Sequence, residues 1–497
     1  MKQFDFSKII KDIRPYLAMV VIMILLSFTV DMTSEKLLTT QFGSIILITL
    51  IILIVLNKYL TYDRIMWIMN GGIFVKICYV MYTAVWTRQH DVIDFGVGEG
   101  HAAYMEYILA NKHLPDFDPT TVWAFFQPPL HHIAAAAWMW ISKRFGVSDR
   151  QMQENVQVLT LMYMCLVILF TFYICKELEL SYKASTIVML VVSLHPMFTI
   201  FSGSINNDAL SLALTVISIY FALIWYKKPS YARTIMLALA IGFSMMAKLS
   251  SALVAPAIGV MMLFRAWKEF KKFIPKFLCF AVVVFPIGLF WPVRNYILFK
   301  TPINYIPGVG QQLTHTGLVS RVFDIRMSSI YPMLIWNDDP YDEYNVFLAM
   351  IKTSLFGEYN FGLISKWINP FAMVVFISAI ILMIVGLYAT IKLCLYKKST
   401  LASEHRILLG GTYLSFMAGY LSFALGYSNF SAQDFRYAGV VIVIEALFIG
   451  LYFDSIKARS AKEDNTELKK VSLLTVAYVF AICSFIMCIL LGLLQTN

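Results

Sequence analysis

Apolar stretches long enough to cross a membrane alternate with polar segments along the whole chain. A transmembrane helix needs about 20 consecutive apolar residues. By that measure the sequence predicts thirteen spans, at 16–31, 41–60, 65–86, 153–175, 185–202, 208–226, 233–247, 250–265, 277–292, 367–391, 407–427, 437–453 and 471–494. The fold class we expect is therefore an all-α polytopic membrane protein, with two large loops at 87–152 and 293–366.

Composition agrees with this class. Of the 497 residues 59% are hydrophobic and 14% are charged, whereas soluble proteins carry about a quarter charged residues. The seven cysteines lie in or beside apolar runs, so neither a disulfide framework nor a cysteine metal motif is expected. A basic segment precedes the first apolar run, and no small-residue cleavage site follows that run. We interpret it as an uncleaved span rather than a signal peptide.

The distribution of basic residues predicts the orientation of the chain. The runs 233–247 and 250–265 are short and flank Lys248, so the alternative is a single tilted helix. If they are two spans and the N-terminus is cytoplasmic, the inside loops hold 25 of the 40 lysines and arginines, as the positive-inside rule requires. Merging the two runs would put the last three basic loops on the wrong side. We therefore predict two spans and place both large loops outside the cytoplasm. Because the +10 net charge follows this loop pattern, no nucleic-acid partner is expected.

The first large loop carries candidate acid–base chemistry. Asp91 and Asp94 come shortly after the third span, and His101 follows them. A carboxylate at the end of a span can accept a proton from a hydroxyl nucleophile, although an ordinary solvated acid is the alternative. The acid that would act as base stays open between Asp91 and Asp94.

The same loop contains a segment typical of a helix lying on the membrane surface. Gln127-Pro128-Pro129 opens an Ala-rich run from Leu130 to Ile141, which is too short to span. His131 and His132 lie in its first turn and point to different helix faces. We therefore favour contact with substrate or with the membrane interface over joint metal binding.

Further polar residues are predicted on the same outer face. Asn206, Asn207 and Asp208 lie where one predicted span ends and the next begins, and they either cap the next helix or contact substrate. Lys248, Arg294 and Arg436 are three cations at span ends. Each alone would serve as an interfacial anchor, but together they predict a site for a lipid-linked anion, because arginine matches two phosphate oxygens.

Two features are less specific. Asp338, Asp339, Asp342 and Glu343 permit a divalent metal ion without requiring one, and a solvated turn around Pro340 is the alternative. No cofactor is assigned. His195-Pro196, inside a predicted span, indicates a kink.

In their order and spacing, these motifs resemble the GT-C class of membrane glycosyltransferases. They are most similar to the family of protein mannosyltransferases and bacterial aminoarabinose transferases, with its Gram-positive relatives. The resemblance implies an inverting transfer of a sugar from a polyprenyl-phosphate carrier to a protein, lipid or polymer acceptor on the extracytoplasmic face. It implies the following roles: Asp91 as general base, with Asp94 as the alternative; His101, Gln127, His131, Asn207 and Asp208 at the substrate; and Lys248, Arg294 and Arg436 at the phosphate. The chain departs from the family in having two extra spans before the catalytic loop, and in spacing its two acids three residues apart.

The predicted organisation has three parts. Residues 1–454 form the GT-C-like transmembrane catalytic region, 455–470 a charged cytoplasmic linker, and 471–497 the last transmembrane helix with an outer tail. The expected location is the cell membrane. A lipid or solute transporter or flippase is the alternative. Transporters typically show paired repeats, broken helices and several charges at mid-membrane, whereas the in-span charge noted here is the single Lys76. The chain also shows no matching halves, and its polar residues collect on one face, which favours an enzyme.

Overall fold

Helices dominate the computed structural model. It describes residues 14–29, 55, 63–86, 95–303, 305–307, 312–326, 331–333, 343–357, 365–396, 399–459 and 465–494. The α-helices are α1 (Arg14–Thr29), α2 (Arg64–Tyr82), α3 (Gly100–Asn111), α4 (Leu130–Arg144), α5 (Asp149–Glu154), α6 (Val156–Glu177), α7 (Tyr182–Leu194), α8 (Pro196–Gly203), α9 (Asp208–Lys227), α10 (Tyr231–Ala247), α11 (Ala255–Ala266), α12 (Phe270–Gly288), α13 (Phe290–Phe299), α14 (Leu318–Phe323), α15 (Val346–Phe356), α16 (Asn369–Leu395), α17 (Ser403–His405), α18 (Gly411–Gly426), α19 (Val440–Arg459) and α20 (Asn465–Leu494). The 3-10 helices are Leu249–Val254, Trp267–Glu269, Lys366–Ile368, Phe430–Gln433 and Phe435–Ala438, and a π-helix covers Arg406–Gly410. Within these ranges the only β-pairing is an isolated bridge between Gln312 and Asn429.

The polytopic membrane class is confirmed, but the count of thirteen spans is not. Seven described helical stretches are long and apolar enough to cross a bilayer, or nine if two bent pairs each count as one span. The predicted span 41–60 lies almost entirely outside the described residues. The predicted span 250–265 and most of the predicted span 277–292 fall within one continuous helical stretch, Leu249–Gly288. A count based on length and composition alone therefore gives too few spans if the chain reverses direction inside that stretch.

The chain does reverse on both sides of α11. Asn207, before α9, donates to the carbonyl of Ala247 at the end of α10, so these two helices are antiparallel. The Arg265 guanidinium, near the end of α11, donates to the carbonyl of Tyr226 near the end of α9, so α11 runs parallel to α9 and opposite to α10. Gly288 then packs against Met245, so α12 runs parallel to α10. The runs flanking Lys248 are therefore two helices of opposite direction rather than one tilted helix.

Described residues in or beside four of the loops predicted to be cytoplasmic, 57–64, 176–184, 227–233 and 455–470, lie together at one end of the bundle. The Tyr182 hydroxyl donates to Asp63 (2.9 Å), and Lys227 pairs with Glu177 (2.8 Å). The backbone N–H of Ser181 donates to Asp454 (2.8 Å). The Lys248 end of the bundle lies at the other end of α9, a helix of 20 residues that is about 30 Å long. The grouping of the loops agrees with the sequence prediction, and the side of the membrane that each end faces stays a prediction.

Several local expectations are confirmed. Helices α7 and α8 meet at His195-Pro196 with a bend of 42°. Pro128 and Pro129 precede α4, which ends at Arg144. All seven cysteines are free. The last helix, α20, packs into the main core through Phe480 against His195 and Phe485 against Phe74.

Candidate active site

A cavity of about 750 Å³ opens at the Lys248 end of the bundle. Both large predicted loops contribute to its wall, the first through residues such as His101 and Gln127, the second through residues such as Asn295 and Tyr305. Span ends supply the rest of the polar lining, including Asn207, Asp208, Lys248 and Arg436. Sequence positions predicted to share one face therefore meet around one cavity.

The most polar part of the wall is an ion cluster formed by Asp208, Lys248 and Arg436. The Lys248 ammonium donates to one carboxylate oxygen of Asp208, and Arg436 Nε lies 3.6 Å from the other. Asp434 is a second counterion, with its Oδ2 3.4 Å from Arg436 Nε. The side chains of Lys248 and Arg436 are each only 13% exposed, so water screens the cluster weakly.

Breaks in regular structure hold these charges in place. Lys248 has an extended backbone between α10 and the 3-10 helix Leu249–Val254. Asp208 is the first residue of α9, where the positive end of the helix dipole favours a carboxylate. Arg436 follows Asp434, whose side chain accepts from the Arg436 backbone N–H (2.9 Å). The ring of Tyr437 lies 4.4 Å from the Lys248 ammonium and 5.2 Å from the Arg436 guanidinium carbon, a cation–π arrangement with both.

An amide pair continues the polar wall from the ion cluster. Asn207 Nδ2 donates to Gln127 Oε1 (3.2 Å) and to the carbonyl of Ala247 (2.7 Å). Within this segment the capping role belongs to Asn206, whose side chain accepts from the backbone N–H of Asp208 (3.1 Å). Asn207 and Asp208 are thus left to face the cavity.

A histidine pair forms the next part of the wall. His101 lines the cavity, and its Nδ1 lies 2.9 Å from Nε2 of His132. His132 is fully buried behind His101 and stacks on Tyr104 at 4.2 Å between ring centroids. Burial, together with neighbouring His101 and His131, holds the pKa of His132 well below its usual range. The buried ring is therefore neutral near pH 7.

Two predicted site residues do not line the cavity. His131 is buried and its Nε2 lies 2.7 Å from the carbonyl of Ile205, while burial lowers its pKa to about 4. Arg294 stacks on Trp291 (5.0 Å) and donates to the carbonyl of Pro115 (2.5 Å), and so ties α13 to the first loop. Of the three predicted cations, Lys248 and Arg436 therefore share the cluster and Arg294 does not. Helix α13 faces the cavity with Trp291, Pro292 and Asn295 instead.

Asp91 and Asp94 lie outside the described residues, as do Asp338, Asp339 and Asp342. Trp86, the last described residue before Asp91, lines the cavity. Glu343 is described and forms a buried ion pair with Lys352 (2.6 Å). Among the described ranges, no group of three or more His, Cys, Asp or Glu side chains is arranged to hold a metal ion.

Much of the aromatic part of the wall was not predicted from the sequence. The unpredicted aromatic side chains that line the cavity are Trp86, Trp123, Phe126, Tyr305, Tyr420, Phe423, Tyr427 and Phe430. With 15% aromatic residues spread along the chain, no local pattern marked these positions. Such a wall suits a substrate with both apolar and hydroxyl-bearing parts.

Comparisons with known proteins bear on this arrangement. Residues 128–291 match the family model PMT_2, dolichyl-phosphate-mannose-protein mannosyltransferase. No curated protein matches the sequence significantly. Among solved structures, ArnT from Cupriavidus metallidurans bound to undecaprenyl phosphate is similar at 12% identity with a TM-score of 0.52, over 86% of this chain and 77% of that one.

A second similar structure is the apo form of the Archaeoglobus fulgidus oligosaccharyltransferase. It matches at 14% identity with a TM-score of 0.50, over 87% of this chain. This chain covers 56% of that longer protein. At such low identities the likeness to ArnT and to this enzyme establishes a shared fold.

Proposed function

We propose that this chain is an inverting glycosyltransferase. It has the GT-C fold of membrane glycosyltransferases, as its motifs predicted, and residues 128–291 match a protein-mannosyltransferase family. It would take a sugar from a polyprenyl-phosphate carrier and attach it to a hydroxyl of an acceptor outside the cytoplasm. The acceptor would be a protein, a lipid or a polymer of the cell envelope.

One observation carries this proposal: Lys248 and Arg436 lie together in the wall of a cavity on this fold. When the bond between sugar and phosphate breaks, the leaving polyprenyl phosphate gains negative charge. Fixed cations that meet charge developing in a weakly screened cavity stabilise the transition state. Undecaprenyl phosphate is the ligand bound by ArnT, a protein of the same fold, which supports a lipid phosphate as the anion here.

The neighbouring residues suit the other half of the reaction. The acceptor oxygen would attack the anomeric carbon as the phosphate leaves, and the hydroxyl proton would pass to Asp91, with Asp94 as the alternative base. Trp86 brings the chain to the cavity wall five residues before Asp91. Gln127 and Asn207 form a hydrogen-bonded amide pair that would hold sugar hydroxyls beside the phosphate.

The transporter alternative gains no support from the one charge noted within a span. Lys76, a charge within a predicted span, is fully buried and donates to the carbonyl of Ser193 (2.8 Å). This hydrogen bond gives Lys76 a structural role. The cavity, moreover, lies at one end of the bundle, as expected for an enzyme that works at one membrane face.

The direct test incubates purified protein with a panel of polyprenyl-phosphate sugars and measures loss of each donor. We expect consumption of at least one donor to depend on an added acceptor and to be lost in a Lys248→Met variant. Repeating the assay with a chelator tests for a metal requirement. Donor that is never consumed by correctly folded protein, across the panel and with several acceptor classes, would contradict the proposal.

The base is tested by two matched variants. Asp91→Asn keeps the size of the side chain but removes its ability to take a proton, so we expect transfer to fall by about 10²–10⁴-fold while undecaprenyl phosphate still binds. Asp94→Asn is the control. Inactive Asp94→Asn together with active Asp91→Asn would move the role to Asp94, and full activity in both variants would contradict the proposal that either of these two carboxylates is the base.

A further inference from the structure

The adjacent histidines at the start of α4 have separate tasks, and one of them lies directly behind a cavity residue. His131 binds the carbonyl of Ile205, whereas His132 turns toward α3 and meets His101. His101 is half-buried on the cavity wall, and His132 has no exposed surface. The contact therefore joins a ring that can meet a substrate to a ring that cannot.

The geometry of this pair is that of an in-plane hydrogen bond. The two ring planes differ by only 2°, and the ring centroids are 5.2 Å apart. A bond of 2.9 Å between Nδ1 of His101 and Nε2 of His132 accounts for that separation once the radius of each ring is added. The rings are thus coplanar and joined edge to edge, rather than stacked face to face.

Packing fixes the orientation of His132. One face of its ring stacks on Tyr104 (4.2 Å), which in turn stacks on Phe125 (4.5 Å). His131 meets the ring edge-on at 5.5 Å. A ring held in this way cannot rotate to follow His101, so the orientation of His101 adjusts to His132.

The chemistry of neutral imidazole makes this contact a constraint on protons as well as on position. A neutral ring has one N–H donor and one acceptor nitrogen. His132, neutral through burial, therefore couples the proton on Nδ1 of His101 to its own tautomer. Any contact that His101 makes through a ring nitrogen to a molecule in the cavity then uses Nε2.

We propose that His132 is a positioning residue, which fixes the ring orientation of His101 and couples its tautomer to that of His132, so that Nε2 of His101 binds a hydroxyl group of the sugar or acceptor. This role rests on the proposed glycosyltransferase function. The group that orients a metal-bound histidine acts in a similar way, by holding one ring nitrogen and thereby defining the other.

Two substitutions at His132 separate this role from simple packing. His132→Phe keeps a ring against Tyr104 but removes both nitrogens. His132→Gln loses the ring but keeps a polar group near the position of Nε2. If hydrogen bonding to His101 is what matters, we expect His132→Phe to lose on the order of 10²-fold in transfer, as a mispositioned group does, and His132→Gln to keep more activity than His132→Phe.

His113→Gln is the matched control. His113 lies in the same loop, is exposed, and hydrogen-bonds through Nδ1 to the adjacent Leu114 carbonyl (2.8 Å). We expect this variant to keep transfer activity, and all three variants to bind undecaprenyl phosphate as the unmodified protein does. An active His132→Phe together with an inactive His132→Gln would overturn the proposal and leave His132 as a packing residue.

A spectroscopic measurement tests the pair without relying on catalysis. In protein labelled with ¹⁵N-histidine, the ring signals of eight histidines report their tautomers, and the signals of His101 are those lost in His101→Gln. We expect His132→Phe to shift the His101 signals and His113→Gln to leave them unchanged. His101 signals that do not move in His132→Phe would overturn the proposal. If the unmodified protein transfers no sugar, the proposed function fails separately, and these spectra still decide whether His132 sets the state of His101.

Discussion

At the scale of single residues, Asp208 makes the cation pair compatible with folding. Lys248 and Arg436 would repel each other in a weakly screened wall, and the carboxylate of Asp208 contacts both. Charges of this kind are held by their partners, and removing one partner of a buried ion pair costs more than removing both. Stability and anion binding therefore place different demands on this cluster.

This difference predicts a split between stability and function. Asp208→Asn or Lys248→Met alone should lower the free energy of unfolding by about 3 kcal/mol, because each leaves an uncompensated charge in the cluster. The double variant Asp208→Asn/Lys248→Met should recover much of that stability but still bind undecaprenyl phosphate weakly, since only Arg436 remains. Thermal unfolding in detergent and a binding titration measure the two effects. A double variant whose destabilisation equals the sum of the single effects would show that the pair is not coupled.

Single-residue prediction from the sequence succeeded where a charge interrupts an apolar run. Asp208, Lys248 and Arg436 stand at such interruptions, and they meet in the structure. Arg294 gave the same signal, but the turn of α13 directs it to Pro115 instead of the cavity. Position along the chain shows that a charge is near a span end, and helix rotation, which decides the face, requires tertiary packing.

At the scale of elements, the short segment that carries Arg436 is held by α15 and α18. The backbone N–H of Phe435 donates to the hydroxyl of Thr353 on α15 (3.0 Å), and Gln433 Nε2 donates to the carbonyl of Glu343 (2.8 Å). From the other side, the Tyr420 hydroxyl donates to the carbonyl of Gln433 (2.7 Å). The second large loop, through α15, thereby determines where one of the two cations stands.

We therefore expect Thr353→Val to weaken phosphate binding without touching the cavity. The substitution keeps the shape of the side chain but leaves the Phe435 N–H without its acceptor, which costs about 1–3 kcal/mol for a buried group. Displacement of Arg436 should lower undecaprenyl phosphate affinity on the order of tenfold. Thr353→Ser should restore it. Ser354→Ala is the control, because the Ser354 hydroxyl donates only within its own helix, to Ile351 (2.7 Å). Unchanged affinity in Thr353→Val would mean that α15 does not position Arg436.

The ends and bends of helices could be predicted from the sequence where a characteristic residue type lies at them. The proline pair before α4, the kink at His195-Pro196 and the reversal at Lys248 each follow from a local residue type. The clamp between α15 and the 433–436 segment could not be foreseen, because Thr353 and Gln433 are 80 residues apart and neither stands out locally.

At the scale of the whole molecule, loops of different composition alternate between the two ends of the helix bundle. Described residues from loops rich in lysine and arginine meet at one end, and described residues from the two large loops line the cavity at the other. A glycosyltransferase that uses a lipid-linked donor outside the cytoplasm requires the cavity end to face outward. The positive-inside rule predicts the same orientation from charge alone.

Orientation can be tested by labelling introduced cysteines in intact cells. His113→Cys places a thiol on the exposed first loop at the cavity end, and Lys268→Cys places one on the exposed turn before α12 at the opposite end. We expect a membrane-impermeant maleimide to label His113→Cys in intact cells, and Lys268→Cys only after the membrane is opened. The unmodified protein is the baseline, since four of its seven cysteines are buried and the other three are half-buried.

The reverse labelling pattern would mean that the cavity faces the cytoplasm. In that orientation the donor and acceptor would have to be cytoplasmic, and the extracytoplasmic part of the proposed function would be wrong even if the chemistry at Lys248 and Arg436 were right.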